Sequence, residues 1–255
     1  AWSEGYLKKA IREARLDRRD AALAARLCFG ILQNRLLLDF YIGKYSTMNP
    51  EKMEINVRNA LRLGVYQMAF LTRIPHSAAV NESVALTRKH CKNPRAAGMV
   101  NGILRSVSRN IEKLPVIEQG DPVRYLSLRY SHPAWMVREF DLALGREETE
   151  ALLSANNGEV PIVAQVNTCK TDMEHALSRL EAEGVSAARH PWLANCLTMT
   201  GTGDLEELPA FREGLLYIQD AAARLAVAAA GFAPGMKVLD ACAAPGGKSF
   251  AAAMD

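Results

Sequence analysis

The residues with the clearest chemical potential lie at positions 236–249, in the sequence MKVLDACAAPGGKS. Val238 and Leu239 predict a buried β-strand. The turn that follows carries no large side chain, so a ligand could approach its backbone closely, and Gly246 and Gly247 can adopt backbone angles that other residues avoid. A helix beginning after this turn would direct its unpaired N–H groups towards it, which suits an anionic group. This order of elements predicts a nucleotide-type binding site.

Several kinds of site are compatible with this turn. The residues Gly247-Lys248-Ser249 match the end of the phosphate-binding pattern G-x-x-x-x-G-K-[ST], but Cys242 occupies the first glycine position, where a Cβ matters. A dinucleotide site requires G-x-G-x-x-G, and alanine and cysteine replace its early glycines. S-adenosylmethionine offers a carboxylate and a ribose instead of a pyrophosphate, so its site needs less glycine. An ordinary turn without a ligand is also compatible, although Ala-Ala-Pro-Gly-Gly is an unusual composition for one.

Composition limits the class of protein. The chain has 255 residues and ordinary hydrophobicity, enough for about two domains or slightly more. It contains no apolar run close to the roughly 20 residues of a membrane span. Its cysteines show no C-x-x-C spacing, which argues for reduced thiols in a cytoplasm and against a zinc site. The five are Cys28, Cys91, Cys169, Cys196 and Cys242. We therefore expect a cytoplasmic protein without a membrane partner.

Charge is divided unevenly along the chain. Residues 1–115 hold 20 lysines and arginines against 9 acidic residues, whereas residues 116–255 hold 11 against 19. A basic half joined to an acidic half indicates that the first half meets a polyanion. Solvated faces of helices would produce the same counts, so charge alone leaves nucleic-acid binding open.

The first half of the chain is predicted to be helical throughout. Apolar residues recur at helical spacing, Asp20 is a plausible N-cap, and prolines at positions 50 and 75 interrupt the pattern. The predicted helices are residues 2–14, 21–34, 36–45, 53–71, 77–90 and 95–110. Short connections between amphipathic helices predict a compact bundle.

The second half of the chain predicts a mixture of helices and strands. Residues 114–130 are expected to be a connector, and Pro133 suits the first turn of a helix that ends near residue 144. A further helix is predicted at 146–156. The later elements are a strand at 160–168, a helix at 172–183, a strand at 197–200 and a turn region at 202–209. This β-α-β unit is too small to fold alone.

The turn and its upstream segment carry a specific resemblance. Residues 240–249, DACAAPGGKS, resemble the cofactor loop of the RNA cytosine-C5 methyltransferases of the Sun/Fmu (RsmB) type. The segment Tyr217-Ile218-Gln219-Asp220 is similar to the family's lead-in, although Ala222 and Ala223 stand where the family often has serine. The resemblance implies that S-adenosyl-L-methionine is bound, mostly through the backbone, by Cys242, Ala243, Ala244, Pro245, Gly246, Gly247 and Lys248.

The resemblance extends over most of the chain. The segments at 19–34, 61–68, 74–82 and 100–105 resemble the antitermination factor NusB, which binds RNA, and the family carries such a bundle at its N-terminus. Tyr130-Ser-His-Pro-Ala-Trp135 is similar to another family segment, and the β-α-β unit resembles a ferredoxin-like or RRM-like subdomain.

The resemblance implies a multidomain α and α/β architecture. Residues 1–115 would form an RNA-binding helical bundle, and residues 116–158 a linker with connecting helices. Residues 159–210 would form the small α+β subdomain. Residues 211–255 would begin a Rossmann-like methyltransferase domain.

The reaction that the resemblance implies is methylation of cytosine C5 in 16S ribosomal RNA. A cysteine thiolate adds to C6 of the base and makes C5 nucleophilic enough to accept a methyl group. The family has its nucleophile in a Thr-Cys pair, but Thr168-Cys169 falls where the family has an ordinary apolar residue. Both working cysteines and the ribose-binding acid lie downstream of Asp255 in the family.

We therefore expect no catalytic residue in this chain and a truncation at both ends. The chain as printed is expected to be an inactive fragment of a monomeric enzyme whose substrate is 16S ribosomal RNA outside the fully assembled subunit. The alternative is a non-catalytic RNA-binding module of the NusB type.

Overall fold

The computed structural model describes residues 3–158 and 161–254 and divides the chain into two compact units, Ala1–Gly158 and Glu159–Asp255. The predicted helix start at Trp2, the predicted strand start at Val160 and Asp255 lie outside the described residues.

The first unit is helical, as predicted. Its helices are α1 (Ser3–Glu13), α2 (Arg18–Gln33), α3 (Arg35–Tyr45), α4 (Ile55–Phe70), α5 (His76–His90), α6 (Ala96–Arg109), α7 (Pro122–Tyr130), α8 (Ala134–Leu144) and α9 (Arg146–Asn156). Helix α4 is central because it packs against α2, α3, α5 and α6. The side chains of Leu38, Ile42, Leu61, Val65 and Leu104 are fully buried around it. The periodicity of these apolar residues therefore predicted the bundle correctly.

Two details of this unit differ from the prediction. Asp17, and not Asp20, caps α2, because its carboxylate accepts a hydrogen bond from the Asp20 N–H at 2.8 Å. The predicted connector at 114–130 contains α7, where the Asp121 carboxylate accepts from the Arg124 N–H at 3.1 Å and Pro122 occupies the first turn. Proline therefore marks a helix start here instead of a break. Leu126, Val137 and Leu153 form a small core among α7, α8 and α9.

The second unit contains a four-stranded antiparallel sheet. Its elements are β1 (Ile162–Val166), α10 (Met173–Ala182), β2 (Ser186–Arg189), β3 (Cys196–Thr200), α11 (Pro209–Arg212), β4 (Leu216–Ile218), α12 (Ala221–Ala230) and α13 (Gly247–Met254). The strand order is β2-β3-β1-β4, and every neighbouring pair is antiparallel. In register, Ala164 of β1 lies opposite Leu197 of β3 and Ile218 of β4. This is the predicted ferredoxin-like arrangement, with Ala164, Leu180, Leu197 and Met199 at its core.

Three expectations for this unit were incomplete or wrong. Strand β2 was not predicted, and β4 lies beyond the boundary drawn at residue 210 although it completes the sheet. The buried strand predicted at Val238 and Leu239 is absent, since these side chains are 50% and 92% exposed. A strand exists only through hydrogen bonds to a neighbouring strand, and residues 236–240 pair with none among the described residues.

The described residues contain no single membrane-spanning helix and no metal-binding cluster. No single described helix is long and apolar enough to span a membrane, and the only pair that would reach this length together, α2 and α3, bends by 78° between its members. Across residues 3–158 and 161–254, no group of histidine, cysteine or acidic side chains could hold a metal ion.

Candidate functional site

The turn between α12 and α13 is organised by a carboxylate. Asp240 accepts a hydrogen bond from the Ser249 hydroxyl at 2.7 Å and another from the Cys242 backbone N–H at 3.1 Å. The hydrogen bond from Ser249 and, to a smaller extent, the one from the Cys242 backbone N–H hold the pKa of the Asp240 carboxyl below its ordinary value of 3.8. Desolvation opposes this shift in pKa by more than the Lys248 charge adds to it. Asp240 therefore ties the start of the turn to the first turn of α13.

The two glycines of the turn lie against aromatic rings. Gly246 has a φ of +103°, a conformation that favours glycine, and a Cβ at this position would lie 2.9 Å from the Phe250 ring. A Cβ on Gly247 would lie 3.0 Å from the Tyr217 hydroxyl oxygen. The two rings contact each other edge to face, with centroids 5.7 Å apart. Strand β4 therefore supports the glycine turn from behind through Tyr217.

Helix α13 begins at Gly247, directly after this turn. The Phe250 N–H donates to the Gly246 carbonyl at 2.8 Å, which is the first hydrogen bond of the helix. The N–H groups of Gly247, Lys248 and Ser249 belong to the first turn and have no intrahelical acceptor. An anionic group placed here would meet these donors and the positive end of the helix dipole.

The turn borders a small cavity of about 210 Å³. Asp240, Lys248 and Ser249 contribute its polar edge, and small apolar residues of α12 form one wall. Val238 and Leu239 also line it while remaining largely exposed. Pockets that enclose whole ligands usually measure roughly 300–1,000 Å³, so the described residues could enclose only part of a nucleoside-sized ligand.

The turn fits one end of S-adenosyl-L-methionine, the cofactor expected from the sequence. Its glycines leave the backbone accessible, and the start of α13 offers donors to the carboxylate of the amino-acid part. The residues expected to bind the cofactor, Cys242 to Lys248, form this turn and the first two residues of α13. Val238 and Leu239 line the cavity but are exposed, so the described residues do not enclose the nucleoside part of this ligand.

The cysteines occupy different environments. Cys169 and Cys242 are exposed, whereas Cys196 is buried in β3. The Cys169 N–H donates to the Asn167 side-chain oxygen at 3.2 Å. The neighbouring Thr168 hydroxyl donates to the Met254 carbonyl at 2.8 Å, close to the end of α13. The Thr168-Cys169 pair is therefore part of a turn that contacts α13.

Three contributors to this site were not predicted from the sequence. The importance of Tyr217, of Phe250 and of the Asp240–Ser249 hydrogen bond was not predicted. Phe250 follows Gly246 by four residues, which is one helical turn, and this spacing could have indicated the contact. Tyr217 gave no such signal, because its position depends on the pairing of β4 with β1.

Comparison with protein families matches two parts of the chain. Residues 1–109 match the family model described as the NusB family. Residues 132–206 match the model described as the ferredoxin-like domain of RsmF/B-like methyltransferases. The first range covers α1 to α6. The second covers α8 and α9 of the helical unit and then β1, α10, β2 and β3.

Individual relatives resemble nearly the whole chain. A ribosomal RNA small subunit methyltransferase B of Pseudomonas putida is 34% identical over 92% of this chain and 52% of its own length. A probable ribosomal RNA small subunit methyltransferase B of Bacillus subtilis is 33% identical over 98% of this chain and 55% of its own. This chain thus spans about half the length of the curated relatives it matches. The crystal structure of PH0851 shares the fold, with a TM-score of 0.70 over 97% of this chain and 55% of that chain at 22% identity.

Proposed function

This chain belongs to the Sun/Fmu (RsmB) family, and from that premise we propose that the protein methylates C5 of cytosine in 16S ribosomal RNA with S-adenosyl-L-methionine as the methyl donor. The observation that carries the proposal is the sequence identity of 33–34% to two ribosomal RNA small subunit methyltransferases B over at least 92% of the chain. The geometry of the Asp240–Ser249 turn supports the same function.

The proposal gives each unit a different task. The helical unit matches the NusB family over residues 1–109 and carries the basic excess, so it would hold the RNA. In the second unit, residues 242–248 would hold the methyl donor, mostly through backbone groups. The hydrogen bonds of Asp240 and the rings of Tyr217 and Phe250 would keep this turn in one conformation. A fixed turn matters because methyl transfer requires the donor to be held in line with the attacking carbon.

The methyl donor supplies an electrophilic methyl group. Cytosine C5 is a weak nucleophile, so the proposal includes addition of a cysteine thiolate to C6, which makes C5 reactive. After C5 has taken the methyl group and the donor has left as a neutral thioether, a base removes the C5 proton and the thiolate is eliminated from C6. We do not assign this thiolate to any cysteine of the chain. Cys242 lies within the turn that would hold the donor, and Cys196 is buried. The target base must also be unstacked to be reached, which favours 16S ribosomal RNA before full subunit assembly. We propose that the enzyme acts as a monomer in the cytoplasm.

A second candidate function is RNA binding without catalysis. It is favoured by the exposure of Val238 and Leu239, which leaves the donor cavity open on one side. In this case the helical unit would act as a binding module, and the turn would have no role in chemistry.

An assay of methyl transfer distinguishes the methyltransferase from the non-catalytic RNA-binding module. The complete gene product is incubated with 16S ribosomal RNA that carries tritium at cytosine C5, together with unlabelled S-adenosyl-L-methionine. We expect release of tritium to water in step with methylation, because the C5 proton must leave. Methylation without tritium release would exclude C5 as the acceptor, and RNA binding without any methyl transfer would favour the non-catalytic module.

A matched pair of variants tests the role of the turn. Gly246→Ala places a Cβ against Phe250 and forces an unfavourable φ, so we expect S-adenosyl-L-methionine to bind the complete protein at least about tenfold more weakly. Gly201→Ala is the control, because its φ of +73° imposes similar strain while no atom lies within 4 Å of the added Cβ. Equal loss of donor affinity in both variants, measured by calorimetry, would contradict a specific role for the turn.

A further inference from the structure

One segment of the helical unit carries a net charge of +6. Residues 73–113 hold eight lysines and arginines against two glutamates. This segment contains α5 and α6, which pack against each other. A surface of this charge density attracts polyanions, but charge alone does not identify a binding site.

A groove runs between α5 and α6 on the surface of the bundle. It consists of two adjoining depressions of about 370 and 340 Å³, which share Asn81 and Arg105 in their linings. One lies beside Ser77 and Arg109, and the other beside Arg88 and Gly98. From Ser77 to Arg88 the groove follows α5 for about 16 Å at the helical rise of 1.5 Å per residue.

Polar residues line this groove at helical spacing. On α5 the polar positions are Ser77, Asn81 and Arg88, and on α6 they are Asn101, Arg105, Ser108 and Arg109. Residues three, four or seven positions apart share one face of a helix, so two polar stripes face each other. Neither depression has a carboxylate in its lining, and the valines that line them, Val80 and Val84, are buried.

The three arginines of the groove are available for a ligand. Arg88, Arg105 and Arg109 are exposed, and none of them forms an ion pair within the described part of the chain. The Nε of Arg105 donates to the Asn101 side-chain oxygen at 3.0 Å, which orients the rest of the guanidinium group. One Nη of Arg109 donates to the Ser106 hydroxyl at 3.3 Å. These neutral partners hold the side chains without cancelling their charge.

We propose that the groove between α5 and α6 binds the sugar–phosphate backbone of a single RNA strand. The proposal rests on the proposed function and identifies the contacting residues. Arginine, asparagine and serine are the side chains that contact phosphate and sugar most often. A protein partner would need an apolar centre, and the groove exposes no large apolar side chain. Contacts of this kind position an RNA without reading its sequence.

Two sets of substitutions test the groove in the 255-residue chain. The triple variant Arg88→Ala, Arg105→Ala, Arg109→Ala removes its cations. The control Arg19→Ala, Lys52→Ala, Arg138→Ala removes three exposed cations from other elements and changes the net charge equally. Binding of a short fluorescent single-stranded RNA and of a 16S ribosomal RNA transcript is measured by anisotropy over a range of salt concentrations. We expect the groove variant to bind about tenfold or more weakly, with a salt slope smaller by about 2, and the control to change much less.

A second pair of variants adds charge instead of removing it. Gly98→Glu places a carboxylate at one end of the groove, and no atom lies within 4 Å of the added Cβ. Gly5→Glu makes the same change on α1, where the space is equally open. We expect only Gly98→Glu to weaken RNA binding, while both variants keep the helical circular dichroism of the unaltered chain.

The outcomes show whether the groove assignment fails while the proposed function remains. If RNA binding is strong in the unaltered chain and unchanged in the triple variant and in Gly98→Glu, the groove assignment is wrong and the function stands. If the unaltered chain binds no RNA at low salt, the groove assignment is wrong, and the methyl-transfer assay decides the proposed function separately. A polyglutamate peptide that competes as well as RNA would indicate a general polyanion surface and would overturn the assignment to RNA.

Discussion

At the scale of single residues, the decisive feature is the carboxylate of Asp240. In the sequence, Asp240 stands between the apolar pair Val238-Leu239 and a turn of small residues. This position does not indicate which groups its side chain contacts. In the structure it accepts hydrogen bonds from Ser249 and from the Cys242 backbone. This places a negative charge at the edge of the turn, where it organises the backbone that we propose for donor binding.

The state of Asp240 makes the turn sensitive to acid. Its pKa is lowered in the folded chain, so its stabilising contribution is present above the ordinary value of 3.8 and is lost as the pH falls through the lower folded value. We expect Ser249→Ala to raise the pKa of Asp240 towards 3.8, because the largest cause of the shift is removed. Carboxyl NMR titration measures this change. Asp141, whose pKa is lowered by its hydrogen bond from Arg146, should not move. An unchanged pKa of Asp240 would contradict the role given to Ser249.

At the scale of elements, α3 and α4 are joined by a largely buried ion pair. Arg62 of α4 is 8% exposed, and its Nε and one Nη donate to the two carboxylate oxygens of Asp39 at 2.7 and 2.6 Å. The other Nη donates to the Asn59 side-chain oxygen at 3.1 Å. Such bidentate geometry sets the relative position of two helices more strictly than apolar packing alone.

Removing one member of this pair should destabilise the bundle. Asp39→Ala leaves a buried guanidinium group without its carboxylate, which we expect to lower the free energy of unfolding by about 2–3 kcal/mol. This value is at the lower end of the usual cost because the Asp39 side chain is 23% exposed. Urea unfolding monitored by circular dichroism provides the measurement. The double variant Asp39→Leu, Arg62→Met should regain much of the loss, and a double variant no more stable than Asp39→Ala would contradict this interpretation.

At the scale of the whole molecule, each unit has its own core and its own charge. The buried clusters of the helical unit contain only residues before position 158, and the cluster of the sheet unit contains only residues after 161. Residues 1–158 hold 24 lysines and arginines against 16 acidic residues, whereas residues 159–255 hold 7 against 12. The net charges of +8 and −5 support our proposal that the first unit attracts RNA.

Separate expression of the units tests this division. We expect residues 1–158 to unfold cooperatively on heating, because their cores need no residue of the other unit, and to bind 16S ribosomal RNA with a strong salt dependence. Residues 159–255 should bind the same RNA far more weakly. Anisotropy titrations compare the two. Equal RNA affinity of both pieces would show that the difference in net charge does not determine where RNA binds.

The sequence by itself determined helices α1 to α6 of the bundle and the composition of the candidate turn, and its resemblance to a known family implied the ferredoxin-like sheet. Helical hydrogen bonds join residues four apart, so periodicity, aspartates and prolines carry the necessary information locally. Only the tertiary structure revealed β2 and β4, the exposure of Val238 and Leu239, and the two facing polar stripes of α5 and α6. Each of these depends on which distant segments become neighbours, because a strand needs a paired partner and a groove needs two walls.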